Sequence, residues 1–326
     1  MNLWISDMLR GFIGEDTYNT LTSIIDYRLH LSRYYKYHET GTVSPCLVYM
    51  ADGRVKHGGL ADRLRGCVSL YYYSKLVGID FKAYFISPFL LSDYLIPNKY
   101  DWRIECSRLS FDKDRVKAII IKNNRKDNLG YLKRRLGNEL KEKQFHVYTN
   151  VVISGIDYKK EFNELFQPSI SLKKEIESNK LRIGERYISV TFRFQQALGD
   201  FKEGYNKSLS DTEQAELINR CLSFIECVKE KHNDQKKVLV TSDSFKFLQI
   251  ASRTFDYVYT IPGEVYHIDY INNDKHLAYM KSFVDMFMLS ESDYLYTYAT
   301  GPMYKRSGFA EFAAAIGGRP HIRIQE

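Results

Sequence analysis

The sequence predicts an α/β protein of two domains, each built on a parallel sheet with helices packed against it. An apolar run at 46–50, a glycine pair, a helical pattern from 61 to 77 and an alternating segment at 79–86 follow one another with short joins. That order is a strand–helix–strand unit, and its strands must run parallel. The same alternation returns after residue 187, and 326 residues are enough for two domains of ordinary size. The join is expected near Phe166-Gln167-Pro168, where a proline separates two patterned regions, giving domains 1–168 and 169–326.

In order along the chain, residues 12–38 place Leu21, Ile24, Ile25, Leu29 and Leu31 at helical spacing and predict one amphipathic helix. In the alternating segment 79–86, Ile79, Phe81, Ala83 and Phe85 share one face. Helix is expected around 129–143, and a strand at 145–153 closes the first half. In the second half, 187–194 alternates with Ile188, Val190, Phe192 and Phe194 on one side. Ser210 and Glu213 form a capping box that opens a helix through Val228. Strands are expected at 238–241, 257–261 and 294–297, with helices at 245–251 and 276–289. Ser307 caps a last helix that ends at Gly317-Gly318.

Composition narrows the functional class. Hydrophobic residues at 44% and charged residues at 27% describe a globular chain with a substantial core. The longest apolar runs, such as 118–121, fall far short of the roughly 20 residues a membrane span requires. The first residues carry Asp7, Arg10, Glu15 and Asp16 and no secretory core, so a cytoplasmic location is expected. Five dispersed cysteines without C-x-x-C spacing suit reduced thiols and offer no zinc site. The net charge of +7 is concentrated between Lys113 and Lys143, densest at Lys122-Asn123-Asn124-Arg125-Lys126 and Lys133-Arg134-Arg135. Such a patch suits a solvated helix face or an anionic partner. No recognisable nucleic-acid module accompanies it, and nucleic acid is not the expected partner.

Ligands of open parallel sheets bind beyond the carboxyl ends of the strands, and four places meet that rule. The first is the loop containing Gly58 and Gly59, where backbone can approach a ligand and the following helix start, with Asp62, Arg63 and Arg65, attracts anions. It fits neither the dinucleotide fingerprint nor the phosphate-loop pattern. The second is Thr191-Phe192-Arg193, with Gly199-Asp200 after it; Arg193 points away from the face of Phe192 and Phe194. The third is Thr241-Ser242-Asp243-Ser244, and the fourth runs from Thr297 to Gly308, with Thr300 and Ser307 as candidate phosphate ligands. Asp285, inside an apolar helix, needs either a ligand or an internal ion pair. Asp112-Lys113-Asp114 has the D-x-D spacing of a metal site but lies among lysines before the run 116–121, and reads as a turn.

Taken together, these four places resemble the fucosyltransferase superfamily of nodulation, core α-1,6- and protein O-fucosyltransferases. His57-Gly-Gly-Leu-Ala-Asp-Arg-Leu-Arg-Gly66 resembles its early glycine motif, Thr191-Phe-Arg193 with Gly199-Asp200 its H-x-R-x-x-D region, and Asp285 to Ser307 its final motif. Pro88-Phe89-Leu90, Tyr94 to Asn98 and Tyr100-Asp101-Trp102 are similar to a bacterial branch found with surface-polysaccharide genes. The chain departs from the pattern at Thr191, where the family has histidine, and at Gly301-Pro302, where it has serines. The resemblance implies a GT-B fold of two facing Rossmann-like domains. It implies metal-independent, inverting transfer from GDP-fucose, with no cofactor beyond that donor. The implied site has Arg193 and Asp62 in catalysis, and Gly58, Gly59, Arg63, Asp243, Asp285, Thr300 and Ser307 on the donor. The implied acceptor is a glycan or lipid-linked oligosaccharide, with peripheral contact at the inner membrane left open. A different nucleotide sugar, or a non-catalytic basic scaffold or nucleic-acid-binding protein using residues 113–143, remains the alternative.

Overall fold

The computed structural model describes residues 3–36, 43–124, 126–201, 208–232, 237–263 and 276–326; Arg125, part of the basic run, lies outside them. The chain divides into two compact units. Unit 1 comprises Met1–Gly58, Asp62–Leu91 and Pro97–Gln167, and unit 2 comprises Gly59–Ala61, Ser92–Ile96 and Pro168–Glu326.

Unit 1 begins with helices α1 (Leu3–Ile13) and α2 (Glu15–Asp26) and a π-helical turn at Tyr27–Leu31. The single helix expected over 12–38 is therefore broken. Gly14 adopts φ +81°, a conformation that ends a helix, and α2 starts directly behind it. Strand β1 (Cys46–Ala51) leads through the glycine loop into α3 (Leu60–Val77) and then β2 (Phe81–Phe85). Every residue of β1 is buried, as befits a central strand with both faces covered. After β3 (Leu95–Pro97), of which Leu95 and Ile96 belong to unit 2, the apolar run 116–121 forms β4 (Val116–Ile121). The expected helix 129–143 is α4 (Asn128–Leu136) followed by a 3-10 turn at Asn138–Lys141, and the strand behind it is β5 (Gln144–Thr149). Helix α5 (Tyr158–Leu165) and β6 (Phe166–Pro168) follow. The main sheet has the order β2-β1-β5-β4, all parallel. One core packs Val48, Met50, Val116, Ile120 and Tyr148 against Leu31 and Tyr35.

Unit 2 contains α6 (Ile170–Ile183), β7 (Tyr187–Phe192), α7 (Asp211–Lys231), β8 (Lys237–Ser242), α8 (Phe245–Thr254), β9 (Val258–Tyr259), α9 (His276–Glu291), β10 (Leu295–Ala299), α10 (Gly308–Gly317) and β11 (His321–Gln325). The capping box at Ser210 and Glu213 is present, and Ser307 caps α10 by accepting from Ala310 N–H. The sheet order is β11-β10-β7-β8-β9, again all parallel. Ile188, Val190, Phe192 and Phe194 face one core with Leu217, Cys221 and Ile225 of α7, as their alternation requires.

In each sheet the first strand has its successor on one side and a later strand on the other. The reversal lies between β1 and β5 in unit 1 and between β7 and β10 in unit 2. Open parallel sheets form their ligand crevice at that switch point, outside the carboxyl ends.

Candidate functional site

In unit 2, Arg193 is the first residue past β7, at the switch point. Its backbone is held from four directions. Phe192 and Phe194 on either side are buried and stack 6.2 Å apart, each packed against the Phe247 ring. The Arg193 carbonyl accepts from Tyr304 N–H at 3.0 Å. Asp243, just past β8, accepts from Phe194 N–H and Gln195 N–H at 2.8 Å each. Gln195 has φ +53°, a strained conformation for a side-chain-bearing residue, and the Asp243 clamp lies directly on it. The Arg193 guanidinium lies 5.4 Å from the centre of the Tyr304 ring.

Asp243 is buried, and loss of water pushes its carboxyl up to about 6, against the pull of Arg193 and of the amide N–H groups it accepts from. Capping of α8 falls to its neighbours: Ser244 accepts from Phe247 N–H, while Asp200 accepts from the Ser244 hydroxyl and from Lys246 N–H. Register brings the neighbouring strand ends together, with Phe192 opposite Ser242 on β8 and Tyr298 on β10. The segment after β10 carries Thr300 and Ser307, both buried, and loops back to Arg193 through Tyr304. Both oxygens of Asp285 on α9 accept from Lys281 Nζ, at 2.9 and 2.7 Å, an internal ion pair.

The glycine loop passes through a tightly built turn at Gly58. Gly58 adopts φ +85°, and a Cβ there would stand 2.9 Å from an Asp62 oxygen. Arg63 differs from expectation: it is buried, its Nε donating to the Gly58 carbonyl at 2.9 Å and Nη1 to the Ser87 carbonyl at 3.3 Å. A guanidinium so engaged holds the loop from behind. Asp62 is partly exposed and ion-paired with Arg65. His57 is buried, with Nδ1 3.3 Å from the Thr149 carbonyl at the end of β5, and its ring stacks on Tyr148. Burial lowers its pKa to about 3, so it is neutral at pH 7. The loop also contains a cluster that the sequence did not disclose: Asp52 accepts from the Tyr148 hydroxyl at 2.9 Å and pairs with Arg54, whose guanidinium lies over Tyr34 and Phe111.

Tyr304 is the other residue sequence reading missed. Its contact with Arg193 spans 111 positions and has no local signal. Asp112 is buried, accepts from Asp114 N–H at 2.9 Å and lies 3.8 Å from Arg115, as a turn before β4 does. Among the described residues no group of three or more His, Cys, Asp or Glu is placed to hold a metal ion, and no helix among them is long and apolar enough to cross a membrane.

Two parallel-sheet α/β units with ligand-type switch points define a GT-B-type fold, and it is the fold of fucosyltransferases. The chain superposes on an Arabidopsis thaliana FUT1 mutant in complex with GDP, with a TM-score of 0.54 at 13% identity over 98% of this chain and 78% of the other. NodZ α-1,6-fucosyltransferase soaked with GDP-fucose gives 0.52 at 15% identity, over 84% and 93%. POFUT1 in complex with GDP gives 0.50 at 9% identity, over 87% and 99%. No protein-family profile and no curated protein sequence matches the chain.

Proposed function

We propose that this chain is an inverting, metal-independent glycosyltransferase that moves fucose from GDP-fucose to a glycan or lipid-linked oligosaccharide in surface-polysaccharide synthesis. It would act on the cytoplasmic side of the membrane, with peripheral contact to it. The shared fold supports the reaction class. The observation that carries the reading is Arg193, a guanidinium on a backbone fixed in advance by Asp243, Tyr304 and two buried rings, at the switch point of unit 2.

In the proposed reaction an acceptor hydroxyl attacks the anomeric carbon of fucose from the face opposite the diphosphate. The carbon–oxygen bond to the β-phosphate breaks, and GDP leaves with the electron pair. Arg193 pairs with the phosphate oxygens as their charge develops, in the place a divalent ion takes in other transferases. Thr300 and Ser307 line the donor phosphates. The Gly58-Gly59 backbone meets the reacting groups, with Arg63 as the support of that loop. Asp62 is proposed to receive the acceptor proton.

The test is a thermal-shift panel of GDP, UDP, ADP and CMP, each with and without chelator. A ligand that binds only the native state raises its melting temperature. GDP should give the largest rise, of several degrees, unchanged by chelator, and GDP-fucose should be consumed with release of GDP. A larger rise with UDP or ADP would reassign the donor, and activity restored only by a divalent ion would overturn the metal-independent reaction.

A further inference from the structure

A helix on the surface of a water-soluble protein turns its leucines and isoleucines inward and its serines and asparagines outward. Helix α2 does the reverse. Tyr18, Asn19 and Ser23 are buried, whereas Leu21, Ile24 and Ile25 are exposed, Leu21 at 49%. The apolar stripe continues every fourth residue to Leu29, 68% exposed, and α1 adds Met8 and Phe12 one turn apart, Phe12 at 89%. Six of the fifteen exposed large hydrophobic side chains among the described residues fall within positions 8–29, and the other nine are scattered. An exposed apolar stripe of this kind marks a contact.

Beside the stripe, between α2, the outer edge of β4 and α4, lies a cavity of about 720 Å³. Leu21 and Ile24 form an apolar wall, and Lys117, Arg134 and Arg135 bring positive charge to it. Arg134 is paired with Asp16, and Lys117 lies 3.5 Å from Glu139. Arg135 has neither an ion pair nor a hydrogen bond among the described residues, and its Nε is buried. The occupant this arrangement fits is anionic at one end and apolar at the other. A second copy of the same face would set positive charge against positive charge, so self-association is the poorer match.

We propose that this face of unit 1 docks on an anionic membrane surface, the α1–α2 stripe entering the boundary between headgroups and acyl chains and a lipid phosphate entering the cavity against Arg135. Reversible anchoring of this type combines a shallow apolar insertion with basic side chains. The inference locates the membrane contact of the reading above and does not depend on its chemistry, because no residue in it belongs to the donor or glycine-loop sites.

The experiment is co-sedimentation of the full chain with vesicles of phosphatidylcholine alone or with one-third phosphatidylglycerol, at low salt and at about 0.5 M salt, where charge attraction is screened. The expected result is binding to the anionic vesicles at low salt, release at high salt, and roughly tenfold weaker binding to the neutral ones. Phe12→Asp and Arg135→Glu should each lower binding roughly tenfold, with the wild-type melting temperature retained; Leu29→Gln serves if either fails to fold. Wild-type protein left in the supernatant with every vesicle would overturn the proposal, as would equal binding to neutral vesicles or unaffected variants. A dimer in solution that Phe12→Asp converts to monomer would assign the face to a second copy instead.

Discussion

A guanidinium stabilises a departing phosphate best when little must move to place it, and on the proposed mechanism the backbone of Arg193, held by Asp243, Tyr304 and two buried rings, serves that end. Arg193→Lys keeps the charge and loses the planar fork that grips two phosphate oxygens. On the proposed mechanism kcat should fall by roughly 100-fold, about 3 kcal/mol, with GDP affinity much less affected. A lysine variant with near-normal kcat would make Arg193 a structural residue. Asp243 supplies a second test, because it acts through Arg193's neighbours. Its carboxyl has a native pKa of about 6 against an ordinary 3.8, so the native state holds an extra proton between those values. The sign follows: burial of the charged form costs stability as pH rises from about 4 to 6 and gives it back on acidification, by about 1.4 kcal/mol per pKa unit displaced. Protonation also weakens the two-oxygen clamp on Phe194 and Gln195. Turnover should therefore fall below about pH 6, and Asp243→Asn, which sets an amide NH₂ against a backbone N–H, should be slow at every pH and lack that limb. The same acid limb in the asparagine variant would remove Asp243 from the account.

At the scale of elements, α3 reaches the switch point of unit 1 because Gly66 lets it. A Cβ at Gly66 would stand 2.6 Å from the Thr149 carbonyl and 2.9 Å from Asn150 Cα, both backbone atoms that cannot swing aside. Gly66→Ala should lower stability by roughly 1–3 kcal/mol, the range for overpacking; an unchanged urea midpoint would show that α3 and β5 part easily. The sequence reveals such elements where the period is local and the burial one-sided. The alternation of Ile188, Val190, Phe192 and Phe194, the capping box at Ser210 and the cap at Ser307 all correspond to structure. It misleads where an apolar period has no core to face: Leu21, Ile25 and Leu29 keep helical spacing, yet they point to solvent. The edge strand β11, five residues long with only Ile322 and Ile324 on its core side and both half-buried, gives a weak signal. Around the candidate site, the strand-end residues could be named from position alone. Their partners, Tyr304 for Arg193 and Ser87 for Arg63, are set by tertiary folding and leave no mark in nearby sequence.

For the whole molecule, two units of one design differ in how they carry buried charge, and acid should separate them. Unit 1 buries two histidines. His146 donates from Nε2 to Gln144 Oε1 at 2.7 Å, an oxygen that also accepts from Ser110 N–H, and its Nδ1 accepts from the Tyr35 hydroxyl at 2.9 Å, so its neutral tautomer is fixed. Burial lowers the pKa of His146 and of His57 to about 3 each, against 6.5 for an ordinary histidine. Between those values the unfolded chain binds up to two protons more than unit 1 does. Stability is then present in full above about pH 6.5 and falls as pH drops, by up to about 2.7 kcal/mol per pH unit when both contribute. Unit 2 has His321 shifted in the same direction, with Asp243 acting in the opposite sense. Acidification from pH 7 to 5 should loosen the sheet of β1 and β5 before that of β7 and β8. Amide hydrogen exchange on the intact chain reads this directly, with the rates corrected for the intrinsic effect of pH. Protection should fall first in Cys46–Ala51 and Gln144–Thr149, while Tyr187–Phe192 and Lys237–Ser242 stay protected, and His146→Gln should reduce the difference. Parallel loss of protection in both sheets, or a variant that behaves as wild type, would show that the buried histidines do not set the acid limit.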